Sequence, residues 1–243
     1  MDRFVMLLIF GLWAVTALIY KGKYRKMAIL ELFPIMLFIM LAIGMSNEKL
    51  TWLDNGAYYF LSKHASGSMT SFMRFITNFG SGYFITSLSI LLIVVDLIRD
   101  HRVDKNNITN DDSKRKGFNK TRWPSVIVGL NALLIWLTNE LLKLIFHRAR
   151  PEFFKLTYAN NFSFPSGHSM ISIAFYGLLL YIYNKKNLYD GWQKVMVSAL
   201  ISFIILFIGI SRIYLGVHYA SDVIAGFVGG FAWLAAYIKF MNL

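Results

Sequence analysis

Long apolar runs separated by short polar stretches dominate the 243-residue chain. A run longer than ~17 residues can cross a bilayer as helix. Several runs reach this length, and apolar spans are read at roughly 4–20, 27–45, 82–98, 124–146, 169–183, 195–211 and 219–240, which makes seven crossings. The expected fold class is therefore all-α: a polytopic membrane helix bundle of six core helices, one extra N-terminal transmembrane helix, and short interfacial helices. The stretch 46–81 fits neither a clean span nor a polar loop. It mixes Trp52, Tyr58, Tyr59, Phe60, Leu61, Phe72, Phe75 and Phe79 with Asn55, Lys63, His64, glycines and serines. Such a mixture predicts a pair of short amphipathic helices at the interface, capping the bundle or shaping a lateral entrance for lipid.

Charge then orients the spans. Residues 21–26 carry Lys21, Lys23, Arg25 and Lys26; residues 99–122 carry eight Lys and Arg; residues 184–194 carry Lys185, Lys186 and Lys194. The intervening loop 46–81 has only Lys49, Lys63 and Arg74. The basic loops are expected in the cytoplasm, which places the N-terminus outside and the C-terminus inside. The first segment, 4–20, reads as a retained span and not a signal peptide, because no small-x-small cleavage site follows it. The loop 99–122 reads as a solvated linker with no chemistry of its own.

Composition agrees with a bundle, with 56% hydrophobic and 16% aromatic residues. A net charge of +12 raises the question of nucleic acid, but the basic residues lie beside apolar segments, where orientation signals sit, so no nucleic-acid partner is expected. The absence of cysteine excludes disulfides, thiolate metal sites and a cysteine nucleophile. In the last segment, Gly226 and Gly230 are one turn apart and permit close helix approach, used chiefly for packing inside the bundle.

Three polar clusters interrupt the apolar pattern: Lys143 to Pro151, Phe164 to Ser169, and Ser211 to Asp222. The first ends one span, the second begins the next, and the third joins the last two. An antiparallel chain returns to the same face after each pair of crossings, so all three clusters fall on one side of the membrane. Lys143 and Arg150 are seven apart, two turns, and would share a helix face if the helix persists, with Pro151 ending it. Two cations at a rim can clamp an oxyanion. Pro165 fits a first helical position, and Gly167 lets a ligand approach the N–H groups of a helix start, an anion site. His218 and Asp222 are at i and i+4, so the carboxylate can take one imidazole nitrogen and leave the other free as nucleophile or base. With His168 as a second imidazole to protonate a leaving oxygen, these parts suit phosphoryl transfer. No carboxylate cluster of metal-binding kind stands nearby, so the expected mechanism uses no metal and no cofactor.

At these residues the chain resembles the type 2 phosphatidic acid phosphatase (PAP2) superfamily. Its signature reads here as Lys143-x6-Arg150-Pro151, then Pro165-Ser166-Gly167-His168, then Ser211-Arg212-x5-His218-x3-Asp222. The resemblance covers roughly 27–240 and implies a division into an N-terminal segment, 1–26, and a phosphatase domain, 27–243. It implies that His218 attacks phosphorus to give a phosphohistidine, that Asp222 orients His218, and that His168 is acid for the leaving group and then base for water. It further implies that Lys143, Arg150, Ser166, Gly167 and Arg212 hold the phosphate.

The bland readings are snorkelling cations for Lys143, Arg148 or Arg212 and a backbone-satisfied helix start for His168. Taken together, the clusters outweigh them. His64 and His101 read as loop residues, His147 as a bystander, and Glu140 as a structural partner of Lys143. The expected activity is hydrolysis of the terminal phosphate of a lipid phosphate or diphosphate in the cell membrane, at its extracytoplasmic face. Undecaprenyl diphosphate, phosphatidylglycerol phosphate and phosphatidic acid are the candidate substrates. The alternatives are phosphotransfer to a sugar or lipid acceptor, or binding or transport of anionic lipid without turnover.

Overall fold

The computed structural model describes residues 32–106, 124–152, 155–185 and 191–242. The segment 4–20, the basic loop 21–26 and most of the linker 99–122 lie outside these residues. Eight helices occur among the described residues: α1 (Phe33–Ser46), α2 (Thr51–Lys63), α3 (Gly67–Asn78), α4 (Gly82–Asn106), α5 (Pro124–Phe146), α6 (Gly167–Lys185), α7 (Trp192–Tyr214) and α8 (Ala220–Phe240). No strand is present among these residues. The all-helical membrane bundle expected from the apolar runs is the fold observed.

Among the described residues, four helices are long and apolar enough to cross a membrane: α4 over Gly82–Arg99, then α5, α7 and α8. With α2, α1 forms a pair bent by 87° that passes the same test as one broken span. Helix α6, within which the 169–183 segment falls, does not reach the same hydropathy. The reason is position: α6 packs on α5, α7 and α8. A helix sheathed by other helices need not be apolar, and Ser169, Ser172, Ala174 and Phe175 are all buried inside the bundle. By contrast, α4 packs chiefly on α5 and exposes Ile90, Leu91, Val94, Val95 and Ile98 toward lipid.

Glycine permits the tight seam between α6 and α8. A Cβ on Gly226 would lie 2.6 Å from the Ser166 carbonyl oxygen, and one on Gly230 would lie 2.5 Å from that of Met170. These are the two glycines singled out one turn apart, and they serve packing within the bundle. Polar groups in the middle of the seam are partnered. Asn131 donates to the Ala174 carbonyl at 2.7 Å and accepts from Trp233 Nε1 at 2.9 Å. Satisfied in this way, a buried amide avoids the penalty of lost hydration.

The stretch 46–81 forms α2 and α3, the two short helices expected there. Met73 and Ile76 of α3 pack against Tyr214, Leu215 and Val217 at the end of α7. On the outer surface, Trp52, Tyr59, Phe60 and Phe75 stay exposed, as suits a headgroup-level position.

Candidate active site

Helix α5 ends at Phe146, where His147 takes a left-handed conformation (φ 48°) with its N–H on the Lys143 carbonyl at 3.0 Å. The chain then leaves the helix axis. Lys143 and Arg150 therefore do not share a helix face, which corrects the two-turn reading: Lys143 is helical and Arg150 comes from the loop. The loop is held by the Ser163 N–H, which donates to the Arg148 carbonyl at 2.8 Å, and by the Ser163 hydroxyl on the Ala149 carbonyl at 2.9 Å. Phe146 and Phe164 pack edge-on across its neck with ring centres 5.0 Å apart.

Helix α6 starts at Gly167, so Pro165 lies ahead of the helix and not at its first position, a second correction. The Ser166 N–H donates to the Asp222 carbonyl at 3.0 Å and joins the starts of α6 and α8. The Ser166 hydroxyl accepts from Ser169 at 3.1 Å. At Gly167 a Cβ would sit 2.7 Å from Asn139 Oδ1 and 3.8 Å from Lys143 Nζ, so the helix start faces the lysine and has no room for a side chain. Lys143 is buried and paired with Glu140 at 2.7 Å.

Between α7 and α8, five residues carry His218 into the site. His218 N–H and Val217 N–H both bond the Arg212 carbonyl at 3.2 Å. Asp222, fully buried in the first turn of α8, folds back so that Oδ2 accepts from the Tyr219 N–H at 2.9 Å and lies 3.4 Å from His218 Nδ1. On the other side of the ring, Arg150 Nη1 is 3.1 Å from His218 Nε2. A guanidinium has donors only, so Nε2 is the acceptor. The imidazole proton then sits on Nδ1 and faces Asp222. Arg150 is itself fixed by the carbonyls of Val217, at 2.7 Å, and of Asn160 and Asn161, at 2.8–3.1 Å.

Electrostatics favour a neutral imidazole. Burial, reinforced by the charges of Arg212, Arg150 and Lys143, holds the His218 pKa well below the usual histidine range. Arg150 is lowered too, because burial outweighs the attraction of Asp222 and Glu140. His168 stands within electrostatic reach of Arg212, His218, Lys143 and Arg150. Arg212, 6% exposed, donates to Thr77 Oγ1 at 3.0 Å, while its buried Nε has no hydrogen-bond partner. Asn139 Oδ1 is likewise unmatched.

His218, His168, Asp222, Lys143, Arg150, Ser166, Gly167 and Arg212 thus gather at one end of the bundle. His64 and His147 stay outside, the first bonding the Phe60 carbonyl and the second lying against Phe162. Sequence reasoning missed Arg148 and Asp54. Arg148 Nη1 donates to Asp222 Oδ1 and to Ser221 Oγ, the latter at 2.7 Å, and Nη2 donates to Asp54 at 2.7 Å. Burial opposes the charge of Arg148, but Asp222 and Asp54 outweigh it and raise its pKa. No local spacing marks Asp54, since its partners come from distant parts of the chain. Among the described residues, no group of three or more His, Cys, Asp or Glu side chains has the arrangement to hold a metal ion.

Residues 124–243 match the PAP2 superfamily. The chain holds this matched segment within a multi-pass membrane bundle. It is similar to phosphatidylglycerophosphatase B of Bacillus subtilis (strain 168), with 41% identity over 103 residues. That match spans 41% of this chain and about half, 51%, of the relative. The fold is similar to the crystal structure of the first transmembrane PAP2 type phosphatidylglycerolphosphate phosphatase from Bacillus subtilis, with a TM-score of 0.73 and 26% identity over 87% of this chain and 95% of that one. Aquifex aeolicus LpxE shares the fold at a TM-score of 0.55 and 20% identity, over 77% of this chain and 95% of that one.

Proposed function

We propose that the protein is a lipid phosphatase that removes the terminal phosphate of a lipid phosphate or diphosphate through a phosphohistidine, without a metal ion. The observation that carries this reading is the pair of contacts on His218: Asp222 on Nδ1 and a cation, Arg150, on Nε2. A lone pair on Nε2 beside a guanidinium is placed where a phosphate would enter. Phosphate oxygens would take over the Arg150 donor and engage Lys143, Arg212, Ser166 and the Gly167 amide. His218 Nε2 then attacks phosphorus, the P–O bond to the leaving group breaks, and His168 supplies the proton to that oxygen. In the second half, His168 takes a proton from water, whose oxygen attacks phosphorus. The P–N bond breaks, releasing phosphate and free His218. Cations that neutralise the oxygens as charge shifts are the chief source of acceleration in such a transfer.

The names of the similar Bacillus proteins favour phosphatidylglycerol phosphate as the substrate, with undecaprenyl diphosphate and phosphatidic acid next. The site lies at the start of α6 and the end of α7, opposite the helix ends that carry Lys185 and Lys194, which supports an extracytoplasmic face.

The test is phosphate release by purified protein in detergent, over a panel of these three lipids, with and without EDTA. Release that survives EDTA and is lost in His218→Ala is the expected result. Loss with EDTA and return with magnesium would overturn the metal-free step. Transfer of the phosphate to an added sugar or lipid in place of water would identify a transferase, and intact lipid retention and full function in His218→Ala would identify a binder.

A further inference from the structure

We infer that Arg148, braced by Asp54, is a positioning residue that holds Asp222, and through it His218, in the geometry for attack. This rests on the phosphatase reading above and adds Arg148, which lies in the first cluster but outside the family signature, and Asp54, which lies outside all three clusters.

The reasoning begins with Asp222. Its Oδ2 serves the Tyr219 N–H and faces His218 Nδ1, but a carboxylate held by one oxygen can still swing about its side-chain bonds. Arg148 Nη1 takes the other oxygen, Oδ1, and so fixes the plane of the group. A long arginine is itself flexible, and here it is immobilised on three sides. Nη2 donates to Asp54 Oδ2, Nη1 donates to Ser221 Oγ, and the guanidinium lies 4.0 Å above the Tyr219 ring. Asp54 is locked in turn, with Oδ1 accepting the Ser221 N–H at 2.8 Å and Oδ2 the Ser221 hydroxyl at 2.9 Å. Three segments distant in sequence, α2, the loop after α5 and the first turn of α8, therefore close one ring of hydrogen bonds behind His218.

Charge explains why Asp54 is needed. A guanidinium facing Asp222 alone would neutralise it fully and weaken its hold on the imidazole proton. A second carboxylate shares the guanidinium, so the group of Asp54, Arg148 and Asp222 keeps one net negative charge beside His218. None of the hydrogen bonds of Arg148 goes to Lys143, His168 or Arg212. Two arginines of one loop thus take opposite ends of the dyad. Arg150 faces the nucleophilic nitrogen and Arg148 faces the carboxylate.

The experiment uses the full chain in detergent and measures kcat and KM for phosphate release, with folding checked by the thermal transition. Arg148→Gln should lower kcat about 100-fold, the scale of a misplacement near 1 Å, with KM changed less than about threefold. Arg148→Lys should recover part of kcat, because an ammonium can meet Asp222 but cannot span both carboxylates. Asp54→Asn should lower kcat by about tenfold, again with KM steady. Unchanged kcat in folded Arg148→Gln, or a rise in KM at constant kcat, would overturn the inference. If Arg148→Gln does not fold, Arg148→Lys and Asp54→Asn keep polar groups in place and carry the same readout. A wild type that releases no phosphate sinks the phosphatase reading itself, whereas an active wild type with full kcat in Arg148→Gln sinks only this inference.

Discussion

The middle of the bundle and its site end both bury polar side chains, yet they treat them differently. In the middle, Asn131 is matched on its amide nitrogen and its oxygen, and toward the far end the Tyr237 hydroxyl donates to the Ile127 carbonyl. At the site end, Arg212 Nε and Asn139 Oδ1 are buried without partners, and Ser172 Oγ, one turn below His168, is a third such atom. Only one other unmatched buried side-chain atom occurs among the described residues, Asn184 Oδ1 at the far end of α6. Unmet buried groups cost stability. Three of the four lie at the site end, on Arg212 itself or close to Gly167 and His168, whereas the middle is matched. The two regions should therefore separate activity from stability.

The largest separation is expected at His218. His218→Ala should lower phosphate release by about 10⁴-fold or more while leaving the thermal transition in place. A variant that kept activity would remove the nucleophile from the account. Next comes Arg212→Gln, expected to cost about 10²–10³ in kcat/KM, the scale of one oxyanion donor. Because an incompletely paired buried cation leaves with it, the thermal transition should not fall. A drop in stability with activity intact would reverse the comparison.

The middle should behave in the opposite sense. Asn131→Leu leaves Trp233 Nε1 without its acceptor and should cost about 1–3 kcal/mol. Turnover per folded molecule should stay within about twofold, read by kcat alongside thermal unfolding. The smallest effect is in pH dependence. His218 must be neutral to attack, and its pKa is held below the usual range by burial and three cations. Activity should therefore persist as pH falls through ~6.5, where an unperturbed histidine takes a proton. The acid limb of kcat/KM, after division by the separately measured ionisation of the substrate, should lie below that value. An acid limb at or above it would contradict the electrostatic picture of the site.

Parts of this contrast were legible in the sequence. Parity of crossings was enough to bring the three clusters to one end, and the i, i+4 spacing was enough to set Asp222 beside His218. Both inferences depend only on helix geometry. The clamp by Lys143 and Arg150 was not readable in detail, because the left-handed turn at His147 breaks the helix between them. Nor was the role of α6, since hydropathy reports lipid-facing surface and α6 has helices on several sides. Asp54 was hidden for a deeper reason. It lies in a short amphipathic helix and is 3% exposed, and its significance comes from Arg148 and Ser221, with which it shares no sequence period. Long-range pairing between irregular segments leaves no local trace.

The central claim is that His218 Nε2 forms a bond to phosphorus, and the most direct measurement is to trap that bond. The protein would be mixed with lipid phosphate labelled with ³²P in its terminal group, quenched in alkali within milliseconds, and digested to find the labelled peptide. The account predicts label on the peptide bearing His218 and none in His218→Ala. Phosphate release with no protein-bound label in the wild type, or with label on another residue, would contradict it.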